Sequence, residues 1–397
     1  MLLQFKFKNY KCFYDETILD LVATQEKRHL ESTIDVNGNK ILPVIEIHGA
    51  NASGKSSVLE ALHFMFEIIK MSNKIDINND LPTFTFAFNN KKNENSEFEV
   101  SICLDDYEYR YGFSMNKDGF DEEWLYKKKF SSTTKTVQKI VFERVKDHIN
   151  FGSSYDEYKK IWNLFSNNAN SSTKKLLILS NVAIKEEKGI LRDIYDYINK
   201  FNFRVESVFE PQSSLNILYK NNLLYEKFQN IIREFDPCLL GIKIDKNSDG
   251  TSYKISGIHQ NIDDNSHMLL PLQYESDGTI KIFNIMPIIL YNLEVGGLLC
   301  IDELDVKFHP LLFKKIVNMY KDKNINKNKA QLIYTAHSTF LFNSENLRRD
   351  ELYLIEKDTY GKSKLYSLSE FRNLRVDADY EKRYLTGKFG AIPYEDK

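Results

Sequence analysis

Gly49-Ala50-Asn51-Ala52-Ser53-Gly54-Lys55-Ser56 is the stretch on which the reading of this chain turns. It fits the pattern GxxxxGK[ST] without a gap. Just before it, Ile41-Leu42-Pro43-Val44-Ile45-Glu46-Ile47 has the composition of a strand, and after it Ser56 to Lys70 has helical spacing. Strand, glycine turn and helix are the setting in which this loop holds phosphate. The glycines let the backbone wrap an anion, so that consecutive N–H groups and a helix N-terminus point at it. Lys55 then reaches the β and γ phosphates, and Ser56 offers its hydroxyl to Mg²⁺. Gly49, Asn51, Ala52, Ser53, Gly54, Lys55, Ser56 and Ser57 are therefore the candidate nucleotide-binding residues, with ATP and Mg²⁺ as the expected ligands. A plain glycine turn with an exposed lysine is the alternative, and the flanking strand and helix argue against it.

Three further stretches belong with this loop. Leu298-Leu299-Cys300-Ile301-Asp302-Glu303 is an apolar run ending in two carboxylates. It reads as a buried strand delivering Asp302 as a magnesium ligand and Glu303 as the group that polarises the attacking water. Gln331-Leu332-Ile333-Tyr334-Thr335-Ala336-His337-Ser338 is a second apolar strand, ending in a histidine placed to reach the γ-phosphate edge. Lys55, Glu303 and His337 are thus the catalytic candidates, and Ser56 and Asp302 the metal ligands. Glu275-Ser276-Asp277-Gly278-Thr279 precedes the apolar stretch Ile280 to Leu293, and Ser276 with Gly278 reads as a helix N-terminus aimed at an anion. A simple N-cap explains it equally well in isolation. Its place shortly before the carboxylate strand favours the anion.

The whole chain sets bounds on these readings. With 397 residues, 42% hydrophobic and 28% charged, it has the composition of a folded protein. Lys plus Arg number 54 against 56 Asp plus Glu, so bulk basicity gives no reason to bind nucleic acid. The local basic runs, Lys127-Lys128-Lys129 and Lys321, Lys323, Lys327 and Lys329, read as solvated faces. Cys12, Cys103, Cys238 and Cys300 are far apart with no CxxC pair, and free thiols are expected. Met1 to Lys8 alternates like a strand, and no run reaches the roughly 18 apolar residues of a membrane span, so a cytoplasmic protein without membrane contact is expected.

Alternation from Phe84 to Phe113, then in Glu122 to Tyr126 and Ile140 to Glu143, predicts an antiparallel meander. From Ser153 to Phe235 the spacing becomes helical, and after Gly241 strands return before an α/β pattern closes the chain. The expected fold is α/β: a P-loop sheet with an antiparallel β layer, carrying a mainly helical insertion. Its parts are an N-terminal lobe (1–152), the insertion (153–235) and a C-terminal lobe (236–397).

The order P-loop, signature at Ser276, Walker B at Asp302 and switch histidine at His337 resembles the ATPase heads of the ABC class, including structural-maintenance, RecF-like and OLD-like ATPases. Phe7-Lys8-Asn9-Tyr10-Lys11-Cys12-Phe13, Phe308-His309-Pro310 and Gly387-Lys388-Phe389-Gly390-Ala391-Ile392-Pro393 are similar to bacterial ATPases of abortive-infection and restriction-linked phage-defence systems. The resemblance implies a homodimer or higher oligomer in which Ser276 and Gly278 of one subunit close over ATP held at Lys55 of the other. It makes Asp305 the D-loop carboxylate that crosses the interface. It also implies a phage-encoded trigger and a neighbour-encoded effector, a nuclease or toxin. The chain itself has no second constellation for such chemistry, since Glu351, Glu356, Asp358, Asp377 and Asp379 are scattered and read as surface charge. A DNA-repair or recombination ATPase that binds DNA directly is the competing reading. Two departures from the family pattern stand out: Glu275 replaces the leucine that opens the signature, and no Q-loop glutamine is evident between residues 75 and 140.

Overall fold

The computed structural model describes residues 1–74, 78–89, 94–131, 136–168, 173–205, 211–246, 253–371, 374 and 378–393. At its centre is a six-stranded sheet in the order Asn202–Val205, Leu298–Asp302, Gln331–Thr335, Val44–Gly49, Leu352–Lys357 and Ser363–Ser367. The first five strands run parallel, and only the last is antiparallel. Three of them, Val44–Gly49, Leu298–Asp302 and Gln331–Thr335, are buried at every residue. That is why they read as mainly apolar runs, since a parallel sheet is covered on both faces, and why the polar Glu46 and His48 within them are paired with each other.

Alternate residues of each strand feed two different cores. Ile45, Ile47, Leu298, Cys300, Ile333 and Ile355 face one core, shared with the helix Lys55–Met71 and a seven-stranded antiparallel sheet. Val44, Leu299, Ile301, Leu332, Tyr334 and Leu354 face the other, shared with the helices Asp277–Val295 and Pro310–Lys321. The helix Lys55–Met71 presents Val58, Leu59, Leu62, Met65, Phe66 and Ile69 to the first core, the three-to-four spacing of an amphipathic helix. The helix Asp277–Val295 is apolar on nearly all sides because it is buried on nearly all sides. It stops at Gly296, whose φ of 66° suits glycine, and a Cβ there would lie 2.2 Å from the Asn328 carbonyl oxygen.

The antiparallel layer runs His148–Phe151, Lys139–Val145, Gly119–Lys129, Tyr107–Asn116, Ser96–Leu104, Leu2–Lys8 and Thr17–Asp20. It begins later than the alternation suggested. Leu81 to Phe86 is not a strand: the Lys11 N–H donates to the Phe84 carbonyl, Asn9 accepts from the Phe86 N–H, and Phe84 packs edge-on against Tyr10 and Phe64. Its backbone groups are thus taken by the 9–11 turn rather than by a ladder. The stretch read as helical carries the helices Asp156–Asn168, Ile178–Ala183, Ile190–Asn199, Pro211–Lys220 and Asn222–Phe235. It also carries the strand Asn202–Val205, paired in parallel with Leu299 to Asp302 at the edge of the central sheet. Four residues are too few to show a period of two against helical neighbours. A separate three-stranded sheet, Gly241–Lys246, Tyr253–Gln260 and His267–Pro271, leads into the helix Asp277–Val295. Among the described residues no helix is long and apolar enough to cross a membrane, and all four cysteines are free.

One buried side chain joins the two large sheets. Gln331, 1% exposed, accepts from the Leu2 N–H at 2.7 Å and donates to the carbonyls of Leu2 and Leu42 at 2.9 and 3.2 Å. Gln331→Leu keeps the volume and orphans these backbone groups, each costing roughly 1–3 kcal/mol when buried without a partner. The urea midpoint of unfolding is expected to fall accordingly; an unchanged midpoint contradicts this role for the amide.

Candidate functional site

The strands that carry the candidate residues end side by side. Because Gln331–Thr335 lies between Val44–Gly49 and Leu298–Asp302, all three parallel, the phosphate loop, both carboxylates and the histidine leave the sheet at one edge. The carboxyl edge of a parallel sheet is where open α/β folds bind ligands.

The loop after Val44–Gly49 holds Ala52 at φ 61° and Gly54 at φ 115°, left-handed positions that turn successive N–H groups inward. Only glycine fits at 54, where a Cβ would lie 2.7 Å from Cys12 Sγ and 3.1 Å from Ser363 Oγ. Ser363 anchors the loop by donating to the Ser53 carbonyl at 2.5 Å. Lys55, 7% exposed, folds back and donates to the Gly49 and Ala50 carbonyls at 2.9 and 3.2 Å. Burial lowers its pKa below the ordinary lysine value, against the pull of Asp302, Glu303 and Asp305. A polyanion in front of this ammonium would act in the same direction as those carboxylates. Ser53 Oγ is buried and has no hydrogen-bond partner among the described residues.

A cavity of about 560 Å³ opens here, lined by Lys11, Cys12, Asn51, Ala52, Gly54, Lys55, Ser56, Ser57, Glu303, His337 and Lys357. That volume lies within the range of small-molecule sites. Gly49 and Ser53 shape the loop from behind, whereas Asn51, Ala52 and Lys55 to Ser57 face the space.

On the far wall, Thr335 is a hub. Its hydroxyl donates to Asp302 Oδ1 at 2.5 Å and accepts from the Glu303 N–H at 2.8 Å. Asp302 is 6% exposed, and its second oxygen has no protein partner among the described residues. Glu303 sits at φ 53°, an unusual conformation for a side chain of its size, which swings the carboxylate out of the strand and into the cavity. There Glu303 Oε1 lies 3.2 Å from His337 Nε2. Among the described residues no three His, Cys, Asp or Glu side chains gather into a metal-binding group. The oxygen set of Ser56 and Asp302 suits a hard cation that keeps waters and phosphate oxygens as its other ligands.

Ser276 and Gly278 do not line this cavity. Ser276 caps the helix Asp277–Val295, its Oγ accepting from the Thr279 N–H at 3.1 Å. Glu275, in the place of a leucine, is turned inward to His259 Nε2 at 2.9 Å, and Gly257 leaves the room it needs.

Asp305 is 8% exposed and accepts from the His337 and Ser338 N–H groups at 3.0 and 2.6 Å. Two backbone donors on the neighbouring loop hold it within its own chain, where it fixes the turn that carries His337. Glu351, read as surface charge, is fully buried and paired with Lys321 at 2.7 Å, so Lys321 is no part of a solvated face either. Lys127 lies over the Tyr107 ring at 3.8 Å, and Lys128 pairs with Glu108 at 2.9 Å. Asp377 lies outside the described residues.

Lys357, Cys12 and Lys11 as cavity residues escaped the sequence reading. Lys357 ends the strand beside the phosphate loop, and its only signal was that position. Lys11 was visible only as part of the opening motif. None of the lining residues is a glutamine.

Residues 47–343 match the model of a family described as "AAA domain, putative AbiEii toxin, Type IV TA system", and as this span exceeds half of the chain, the chain belongs to that family. It is similar to the crystal structure of the SmcHead bound to the C-winged helix domain of ScpA. That match has 13% identity, covers 92% of this chain and 97% of that one, and has a TM-score of 0.43. No curated protein matches it in sequence.

Gly54→Ala is expected to abolish binding of a fluorescent ATP analogue, because the new methyl meets Cys12 in a backbone conformation that L-residues rarely adopt. Undiminished binding by a folded Gly54→Ala chain would remove this loop as the phosphate cradle.

Proposed function

We propose that this chain hydrolyses ATP at a site completed by a second copy of itself, and that the cycle controls a separate toxic effector in defence against phage. The observation that carries the enzymatic part is one cavity shared by Lys55, Ser56, Glu303 and His337, with Ser276 and Gly278 outside it.

ATP binds with its phosphates in the loop Gly49 to Ser57, where inward N–H groups and the Lys55 ammonium offset their charge. Ser56 and Asp302 would hold Mg²⁺, which when bound neutralises phosphate oxygens. Glu303 takes hydrogen-bond control of a water on the far side of the γ-phosphate and is the general base. His337 keeps the Glu303 carboxylate facing that water, and the Asp305 brace keeps His337 in place. The backbone strain at Glu303 supports this role, since strain of this kind persists where the surroundings over-determine it.

A helix N-terminus at Ser276 that lies outside the lining of its own cavity supports a composite site, in which its N–H groups meet the γ-phosphate of a second nucleotide. Dimerisation that needs the γ-phosphate is undone by hydrolysis, which makes the oligomer a timer. The defence role rests on the toxin–antitoxin description of the family and on the opening and closing motifs. That the effector is a second, neighbour-encoded protein rests on the same resemblance.

Glu303→Gln is expected to keep ATP affinity while turnover falls by on the order of 10²–10⁴, the usual worth of a positioned acid or base. Mixing Lys55→Ala with Ser276→Arg chains is expected to raise turnover above that of either chain alone, through one intact composite site. Full turnover by Glu303→Gln, or a mixture as inactive as its parts, overturns the base assignment or the shared site respectively. Tagged Glu303→Gln chain drawn from its native host with ATP is expected to bring a neighbour-encoded protein with it, and its recovery alone contradicts effector control.

A further inference from the structure

The helix Asp277–Val295 buries a lysine against the turn that bears Glu303. Lys281, 5% exposed, donates to the Glu303 carbonyl at 3.1 Å and to the Val306 carbonyl, with its ammonium 4.8 Å from the centre of the Phe308 ring. The first turn of the same helix meets the same segment again. Asp277 pairs with Lys307 at 3.6 Å, and a Cβ on Gly278 would lie 3.4 Å from the Lys307 carbonyl oxygen. The capped end of the helix and the residues 303–308 are therefore one packed piece.

Glu303 is the weak point of that piece. At φ 53° it holds a sparsely allowed backbone conformation, so a displacement of its carbonyl falls on the same residue that carries the carboxylate beside His337. Its N–H is fixed by Thr335, on the phosphate side, and its carbonyl by Lys281, on the helix side. A buried ammonium is costly to leave without acceptors, and its movement must carry those carbonyls along.

We propose that Lys281 is a positioning residue that transmits occupancy from one nucleotide to the other: a triphosphate held by the second copy, once met by Ser276 and Gly278, draws this helix into place. Lys281 then sets Glu303 over the nucleotide in the chain's own cavity. This rests on the composite site proposed above. Each protomer's base is aligned by the nucleotide that its partner holds, and hydrolysis becomes cooperative in ATP.

The test is steady-state hydrolysis by the full chain across MgATP concentrations, for wild type, Lys281→Met, Lys281→Arg and Glu303→Gln. Wild type is expected to give a sigmoidal curve. Lys281→Met, close in size and apolar, is expected to keep the affinity for a fluorescent ATP analogue. Its kcat should drop on the order of tenfold or more, the scale of a small misplacement of a catalytic group, and its curve should become hyperbolic. Lys281→Arg, which again reaches two carbonyls, is expected to restore both kcat and curvature. A packing role alone would lower thermal stability and affinity without changing the shape of the curve. If Lys281→Met does not fold, Lys281→Gln, with a shorter amide donor, is read by the same outcomes. An inactive Glu303→Gln beside a Lys281→Met chain of wild-type kcat and curvature overturns the coupling and leaves the site intact. An active Glu303→Gln overturns the reading of the site itself.

Discussion

Three parallel strands ending at one edge are the constraint on which everything else in this molecule depends. Val44–Gly49, Gln331–Thr335 and Leu298–Asp302 are hydrogen-bonded neighbours in that order, so residues some 250 apart in the chain leave the sheet within one cavity. Parallel pairing needs long crossovers, and here they are the helices and the whole antiparallel layer. The bulk of the chain is in this sense the connection between three short strands. Burial on both faces fixes their register, because each alternate residue has a different core to enter.

The edge itself is built from strained or buried polar pieces that the packing holds. Ala52 and Glu303 are left-handed without being glycine, each at a cost of about 1–3 kcal/mol. What offsets the cost is a set of directed hydrogen bonds: Ser363 to the phosphate loop, Thr335 to both carboxylate positions and Asp305 to the histidine turn. Farther back, the helix Tyr380–Leu385 braces the same turn through Glu381, which accepts from Thr339 at 2.5 Å, and its Tyr384 packs beside His48. His48, Glu46 and Tyr334 form a buried hydrogen-bonded set directly under the loop. Burial and the Glu46 carboxylate hold the Tyr334 hydroxyl well above the ordinary tyrosine pKa, so it stays a donor.

What was legible in the sequence was whatever local chemistry spells out. Gly49 to Ser56, Leu298 to Glu303 and Gln331 to His337 are contiguous runs in which a buried strand and its terminal polar residue are read together. Their meeting in one cavity follows from strand order, which no local pattern encodes. Asp305 offered no local sign of its intrachain partners, two backbone N–H groups 32 and 33 residues later. Glu351 and Lys321 look like surface charge singly and become a buried pair only when the fold brings them together. Phe84 to Phe86 alternates like a strand, yet its hydrogen bonds go to Asn9 and Lys11. Lys281 had no signal beyond being a cation in an apolar helix. Its meaning lies in two carbonyls more than twenty residues away.

In the composite site proposed above, the cavity is one half and the capped end of the Asp277–Val295 helix is the half offered to another chain. The most direct measurement is the sedimentation mass of the wild-type chain with a non-hydrolysable ATP analogue and with ADP, at equal protein concentration. A mass that doubles with the triphosphate analogue and returns to that of one chain with ADP is the predicted result. A mass that is the same with both nucleotides contradicts it.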